Sequence, residues 1–114
     1  MGLKDVLRSL GDKSNSITSI DLSDRHIGDS GVEELYKVLE VNNTVTELNL
    51  KNNHIDTLGA IKLAELLKKK TALTVLDLTN NTIGNDGAKA IAEALKVNII
   101  LTILHLTYIN QIIN

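Results

Sequence analysis

The sequence predicts an α/β fold of the solenoid kind: a short stack of strand–helix units, with a parallel sheet on the concave side and helices on the convex side. Three observations carry this. First, apolar residues return at a fixed offset of 28: Leu22, Leu50, Leu78 and Leu106; Ile20, Leu48, Leu76 and Leu104; Ile17, Val45, Leu73 and Leu101. Second, Ile27, Ile55 and Ile83 keep the same register, as do Gly31, Gly59 and Gly87. Third, each period changes its pattern, from alternation around Leu-x-Leu to helical spacing after the glycine. One such unit cannot bury its apolar side alone, whereas stacked copies can.

The elements follow in order. Residues 1–15 predict an N-terminal helical cap, because Leu3, Val6, Leu7 and Leu10 fall at i, i+3, i+4 and i+7, with Lys4, Asp5 and Arg8 opposite. Residues 16–43, 44–71 and 72–99 are three full repeats, and 100–114 is a partial fourth with a strand and an irregular end, all in one domain. The helix of the first repeat sets Val32, Leu35, Val38 and Leu39 against Glu33, Glu34 and Lys37. The second sets Ala60, Leu63, Ala64, Leu66 and Leu67 against Lys62, Glu65 and Lys68; the third sets Ala88, Ile91, Ala92, Ala94 and Leu95 against Lys89, Glu93 and Lys96. Strands stack about 4.8 Å apart while helices are about 10 Å wide, so the stack must curve around its sheet.

Composition narrows the function classes. Hydrophobic residues make up 43% and aromatics only 2%, so the core is aliphatic. A net charge of −2 offers no strong field for nucleic acid or anionic lipid. With no cysteine there is no disulfide, thiolate nucleophile or zinc–cysteine site. No apolar run is long enough to span a membrane, and the charged N-terminus does not read as a signal peptide. Its Met-Gly start lacks the Ser/Thr of a myristoylation signal, since Val6 holds that place. A cytoplasmic protein without a cofactor is expected.

The pattern L-x-x-L-x-L-x-x-N-x-I-x-x-x-G followed by a helix resembles a leucine-rich repeat, over residues 16–106. Its length and long helix are similar to the ribonuclease-inhibitor-like subclass found in NOD-like receptors, the Ran GTPase-activating protein and tropomodulins. The resemblance implies that Asn53 and Asn81 are structural, bonding backbone groups of the turn after each strand. It also implies a non-enzymatic protein-binding role, or regulation of a small GTPase or of the cytoskeleton. The pattern fails at both ends, where Arg25 and Ile109 stand in the asparagine column.

Side chains between the buried leucines face the concave side. Their columns are Asp21, Asn49, Asp77 and His105; Ser19, Glu47, Val75 and Ile103; Ser23, Lys51, Thr79 and Thr107; and Asp24, Asn52, Asn80 and Tyr108. The expected protein-binding face is Asp21, Glu47, Asn49, Lys51, Val75, Asp77, Ile103, His105 and Tyr108. It is acidic at its N-terminal half and apolar at its C-terminal half, which suits a partner with a basic rim and an apolar anchor. Carboxylate catalysis is discounted, because Asp21 and Asp77 lie two strands apart on a shallow surface, about 10 Å by strand spacing. His26 and His54 share one rim column, but its third member is Thr82 and no carboxylate joins it. The Lys68–Lys70 run reads as a solvated helix end. Ile99, Ile100, Ile103, Ile109, Ile112 and Ile113 crowd the C-terminal end. Three readings stay open there: a longer array, a homodimer through the C-terminal strand, or a folded-back cap.

Overall fold

The structure, a computed structural model, describes residues 2–12, 16–69, 72–97 and 103–105, the last stretch by its backbone alone. Helices and strands alternate: α1 (Leu3–Gly11), β1 (Ser19–Asp21), α2 (Gly28–Leu39), β2 (Glu47–Asn49), α3 (Thr57–Lys69), β3 (Val75–Asp77), α4 (Gly84–Val97) and β4 (Ile103–His105). The four strands form one parallel sheet in chain order. Its register is the 28-residue period itself. Ser19 lies beside Glu47, Val75 and Ile103 in turn, and Ile20 beside Leu48, Leu76 and Leu104.

The leucine columns become files in the core. Leu22, Leu50 and Leu78 are each 0% exposed, and Ile55 and Ile83 continue the file around the turn. Val6 and Leu10 of α1 are buried against the first repeat, with Leu3 and Leu7 half-buried beside them. The strands are only three residues long, so the sheet is extended by its flanks. Before each strand, the Thr46 amide and hydroxyl donate to the Thr18 carbonyl, and the Thr74 amide and hydroxyl donate to the Thr46 carbonyl.

Helices lie close because small residues meet at the seams. A Cβ on Gly87 would stand 2.9 Å from that of Ala60 and 3.0 Å from that of Ile83. One expectation fails on α4. Ala92 is exposed rather than on the inner side. Its equivalent Ala64 is 3% exposed because α4 covers it. The column marks contact with the following helix, and no described helix follows α4. A second difference concerns Tyr36, which the helical pattern left unassigned. It shares that column and is 9% exposed, under α3.

Candidate functional site

The concave face is built from positions that the strands alternate outwards. Ser19, Asp21 and Glu47 are exposed, while Asn49, Val75 and Asp77 are half-buried. These six side chains line a shallow groove of about 220 Å³. Lys51 is exposed at its rim. The groove brings together five of the nine residues expected to bind, Asp21, Glu47, Asn49, Val75 and Asp77, and Lys51 at the rim makes six. The side chains of Ile103 and His105, and Tyr108 altogether, lie outside the described residues.

Three groove residues also do local work that sequence reasoning missed. Asp21 Oδ1 accepts from the Ser23 amide (2.9 Å) and hydroxyl (2.7 Å). Asn49 Oδ1 accepts from the Lys51 amide, and Asp77 Oδ1 from the Thr79 amide, each at 2.9 Å. Each side chain thus closes an Asx turn at its strand's end. The signal was present, since the column holds only Asp and Asn over three repeats. The Ser23 hydroxyl, then its amide, hold the Asp21 carboxyl below the ordinary 3.8, because both stabilise the ionised form.

Just beyond, Asp24, Asn52 and Asn80 adopt the left-handed backbone region, with φ of 57°, 56° and 57°. Short polar side chains tolerate that region best. They form a ladder across the repeats: Asn80 Nδ2 donates to Asn52 Oδ1 (3.2 Å), and Asn52 Nδ2 donates to Asp24 Oδ1. His26 and His54 also have positive φ, and their rings stack with centroids 4.8 Å apart. Among the described residues, no group of three His, Cys, Asp or Glu side chains is placed to hold a metal ion.

Beneath the ladder lie Asn53 and Asn81, the buried polar side chains of the core. Asn53 Oδ1 accepts from the amides of Arg25 (2.9 Å) and Ile27 (3.3 Å), and its Nδ2 donates to the Leu22 carbonyl (2.8 Å). Asn81 repeats this one step on, serving the amides of Asn53 (3.0 Å) and Ile55 (2.9 Å) and the Leu50 carbonyl (2.9 Å). Each asparagine therefore completes the turn of the repeat before it. Among the described residues no equivalent turn precedes Arg25 for it to serve. It stays exposed, and its guanidinium donates to the Ser23 carbonyl at 2.8 Å.

On the convex side, Lys62 and Lys69 of α3 reach back to α2. Lys69 Nζ lies 3.0 Å from Glu40 and Lys62 Nζ 3.9 Å from Glu33, and they stand 5.4 and 4.6 Å from the Tyr36 ring centroid. The Tyr36 hydroxyl, then the Glu40 carboxylate, raise the Lys69 ammonium above its ordinary 10.5. The lysine run is thus more than a solvated helix end: Lys69 is a clamp, Lys68 is exposed, and Lys70 lies outside the described residues. Among the described residues no helix is long and apolar enough to cross a membrane.

A stack of strand–turn–helix units whose successive turns are closed by the buried asparagines Asn53 and Asn81 defines a class. The Leucine Rich repeat family model matches residues 13–35, 41–64 and 69–92, more than half of the chain, and the chain belongs to that family. Two solved structures are similar to it. The leiomodin-1 Actin-Binding Site 2 structure has a TM-score of 0.83 and 27% identity, over 92% of this chain and 62% of that one. The tropomodulin C-terminal domain of Caenorhabditis elegans has a TM-score of 0.84 and 13% identity, over 96% of this chain and 66% of that one. The chain therefore spans less than two thirds of the length of either. No curated protein sequence matches it.

Proposed function

We propose that the chain is a non-enzymatic protein–protein interaction module of the ribonuclease-inhibitor-like subclass, binding through its concave sheet face in the cytoplasm. The 28-residue period and the full helix in each repeat support the subclass. One observation carries the binding reading. The groove over Asp21, Glu47, Asn49, Val75 and Asp77 sets three carboxylates beside an apolar side chain on a sheet whose turns are locked by their own hydrogen bonds. A surface ordered before contact loses little conformational freedom on binding. Its chemistry fits a partner with a basic rim and an apolar anchor.

The resemblance to the leiomodin-1 structure favours a cytoskeletal partner, actin itself, as the first to test. Asp21→Asn, Glu47→Gln and Asp77→Asn together remove the charge, while Asn keeps the Asx-turn acceptor at both aspartate positions. Binding to monomeric and filamentous actin is measured for the parent chain and this variant. Loss of three rim charges is expected to weaken binding about tenfold. Binding that the variant retains in full removes the concave face from the reading. If neither form of actin binds, the actin assignment fails, and the same variant is compared in pull-downs from cell extract.

A further inference from the structure

The seam between α2 and α3 supplies a template for reading the outer side of α4. Glu33 and Tyr36 of α2, with Glu40 at its C-terminal cap, face the following helix, and Lys62 and Lys69 of α3 answer them. One period later the same column on α3 is Ile61, Ala64 and Lys68; two periods later, on α4, it is Lys89, Ala92 and Lys96. All three of these α4 residues are exposed. Beside them Ala88 and Leu95 are half-buried, whereas their α3 equivalents Ala60 and Leu67, covered by α4, are 0% and 1% exposed. So α4 presents the shape that a helix covers elsewhere in this molecule, with the charge of the α2 column inverted.

We propose that this side of α4 docks an amphipathic helix of a partner protein that carries two carboxylates seven residues apart. Seven residues rise about 10.5 Å along a helix, which matches Lys89 and Lys96 on the facing one. The carboxylates take the places that Lys62 and Lys69 hold at the α2 seam, and a small or apolar side lies on Ala88, Ala92 and Leu95. The apolar contact supplies most of the affinity, and the charges select the occupant. Glu93 stands outside this face: it is the equivalent of Glu65, which turns to Lys62 on its own helix at 3.6 Å. A second copy of the chain fits less well. Its own Glu33 and Glu40 are engaged by α3, and on α1 Arg8 lies between Asp5 and Asp12 and pairs with Asp5 at 3.6 Å. The surface is separate from the concave face and does not depend on it.

The test uses the full chain and two stapled helical probes of the sequence of residues 57–69. One carries Lys62→Glu and Lys69→Glu, and the other keeps both lysines. Fluorescence anisotropy is expected to show the glutamate probe binding about tenfold more tightly than the lysine probe, the effect of two surface pairs changed from repulsive to attractive. Lys89→Glu with Lys96→Glu in the chain reverses that order, and Lys89→Gln with Lys96→Gln abolishes the preference. Equal binding of both probes to the parent chain overturns the proposal, as does an order the lysine substitutions leave unchanged. Sedimentation of the chain alone gives a further check. Self-association lost with Lys89→Glu and Lys96→Glu assigns the face to a second copy and also overturns it.

Discussion

The junction between the first and second repeats and the junction between the second and third are alike inside and unlike outside. Inside, Asn53 and Asn81 make the same bonds to the turn before them, and Leu22, Leu50 and Leu78 form one file. Outside, the first junction is closed by an aromatic ring under two lysines that meet two glutamates. The second is closed by Gly87 set close against Ala60, with Ala64 buried beside them on α3. The interior of a repeat stack tolerates few solutions because every buried amide must be satisfied. The helical layer has only to fill space at the right spacing, and charge-capped packing and small-residue packing both do so.

The largest expected effect tests the likeness. Asn81→Ala strands the amides of Asn53 and Ile55 and the Leu50 carbonyl, and is expected to cost about 3–5 kcal/mol in urea unfolding. Asn53→Ala does the same to the preceding turn, and the two costs should agree within about 1 kcal/mol. A wider gap would break the equivalence of the two interiors. Next comes the difference between the seams. Tyr36→Ala opens a cavity under Lys62 and Lys69 and is expected to cost about 2–4 kcal/mol, whereas Tyr36→Phe keeps the packing and costs less than about 1 kcal/mol. Ala64→Tyr, which installs the first seam's ring in the second, should overpack it by about 1–3 kcal/mol.

The smallest effects are electrostatic, one at the first seam and one on the concave face. Lys69→Gln is expected to lower stability slightly at low salt and not at all at high salt. The Lys69 ammonium is raised in the folded state, so its contribution is complete below 10.5 and disappears as pH climbs through the higher folded value. The parent and Lys69→Gln unfolding curves should therefore converge in strong alkali. Asp21 behaves in the opposite sense. Its carboxyl is lowered, so its contribution is complete above 3.8 and is lost as pH falls through the folded value. Asp21→Asn should flatten that part of the acid limb. An acid limb unchanged by Asp21→Asn would remove the Ser23 hydrogen bonds as a source of stability.

Much of this architecture was legible in the residues because stacking turns sequence offset into spatial neighbourhood. Residues 28 apart, such as Ile20 and Leu48, became strand partners, so one number carried the sheet register and the leucine files. The clamp on Tyr36 escaped because its charges pair at an offset of 29, one residue past the period, as with Lys69 and Glu40. A search for opposite charges at that offset would have found it. The Asx turns escaped for another reason: an Asp or Asn on a concave strand reads as a contact residue until the amide two positions on is seen to need an acceptor. The helix pattern sets Ala92 inside because it matches that of Ala64; pattern alone does not reveal whether a neighbour is present.

The side-chain oxygens of Asn53 and Asn81 both accept from the turn of the preceding unit. Loss of material from the C-terminal side therefore strands these turn amides in the unit left behind, while loss from the N-terminal side leaves the remaining asparagine-held amides with their acceptor. The natural increment for lengthening or shortening such a chain is then not strand to strand. It is a segment that ends just after an asparagine, so that each graft arrives carrying the closure its forerunner requires.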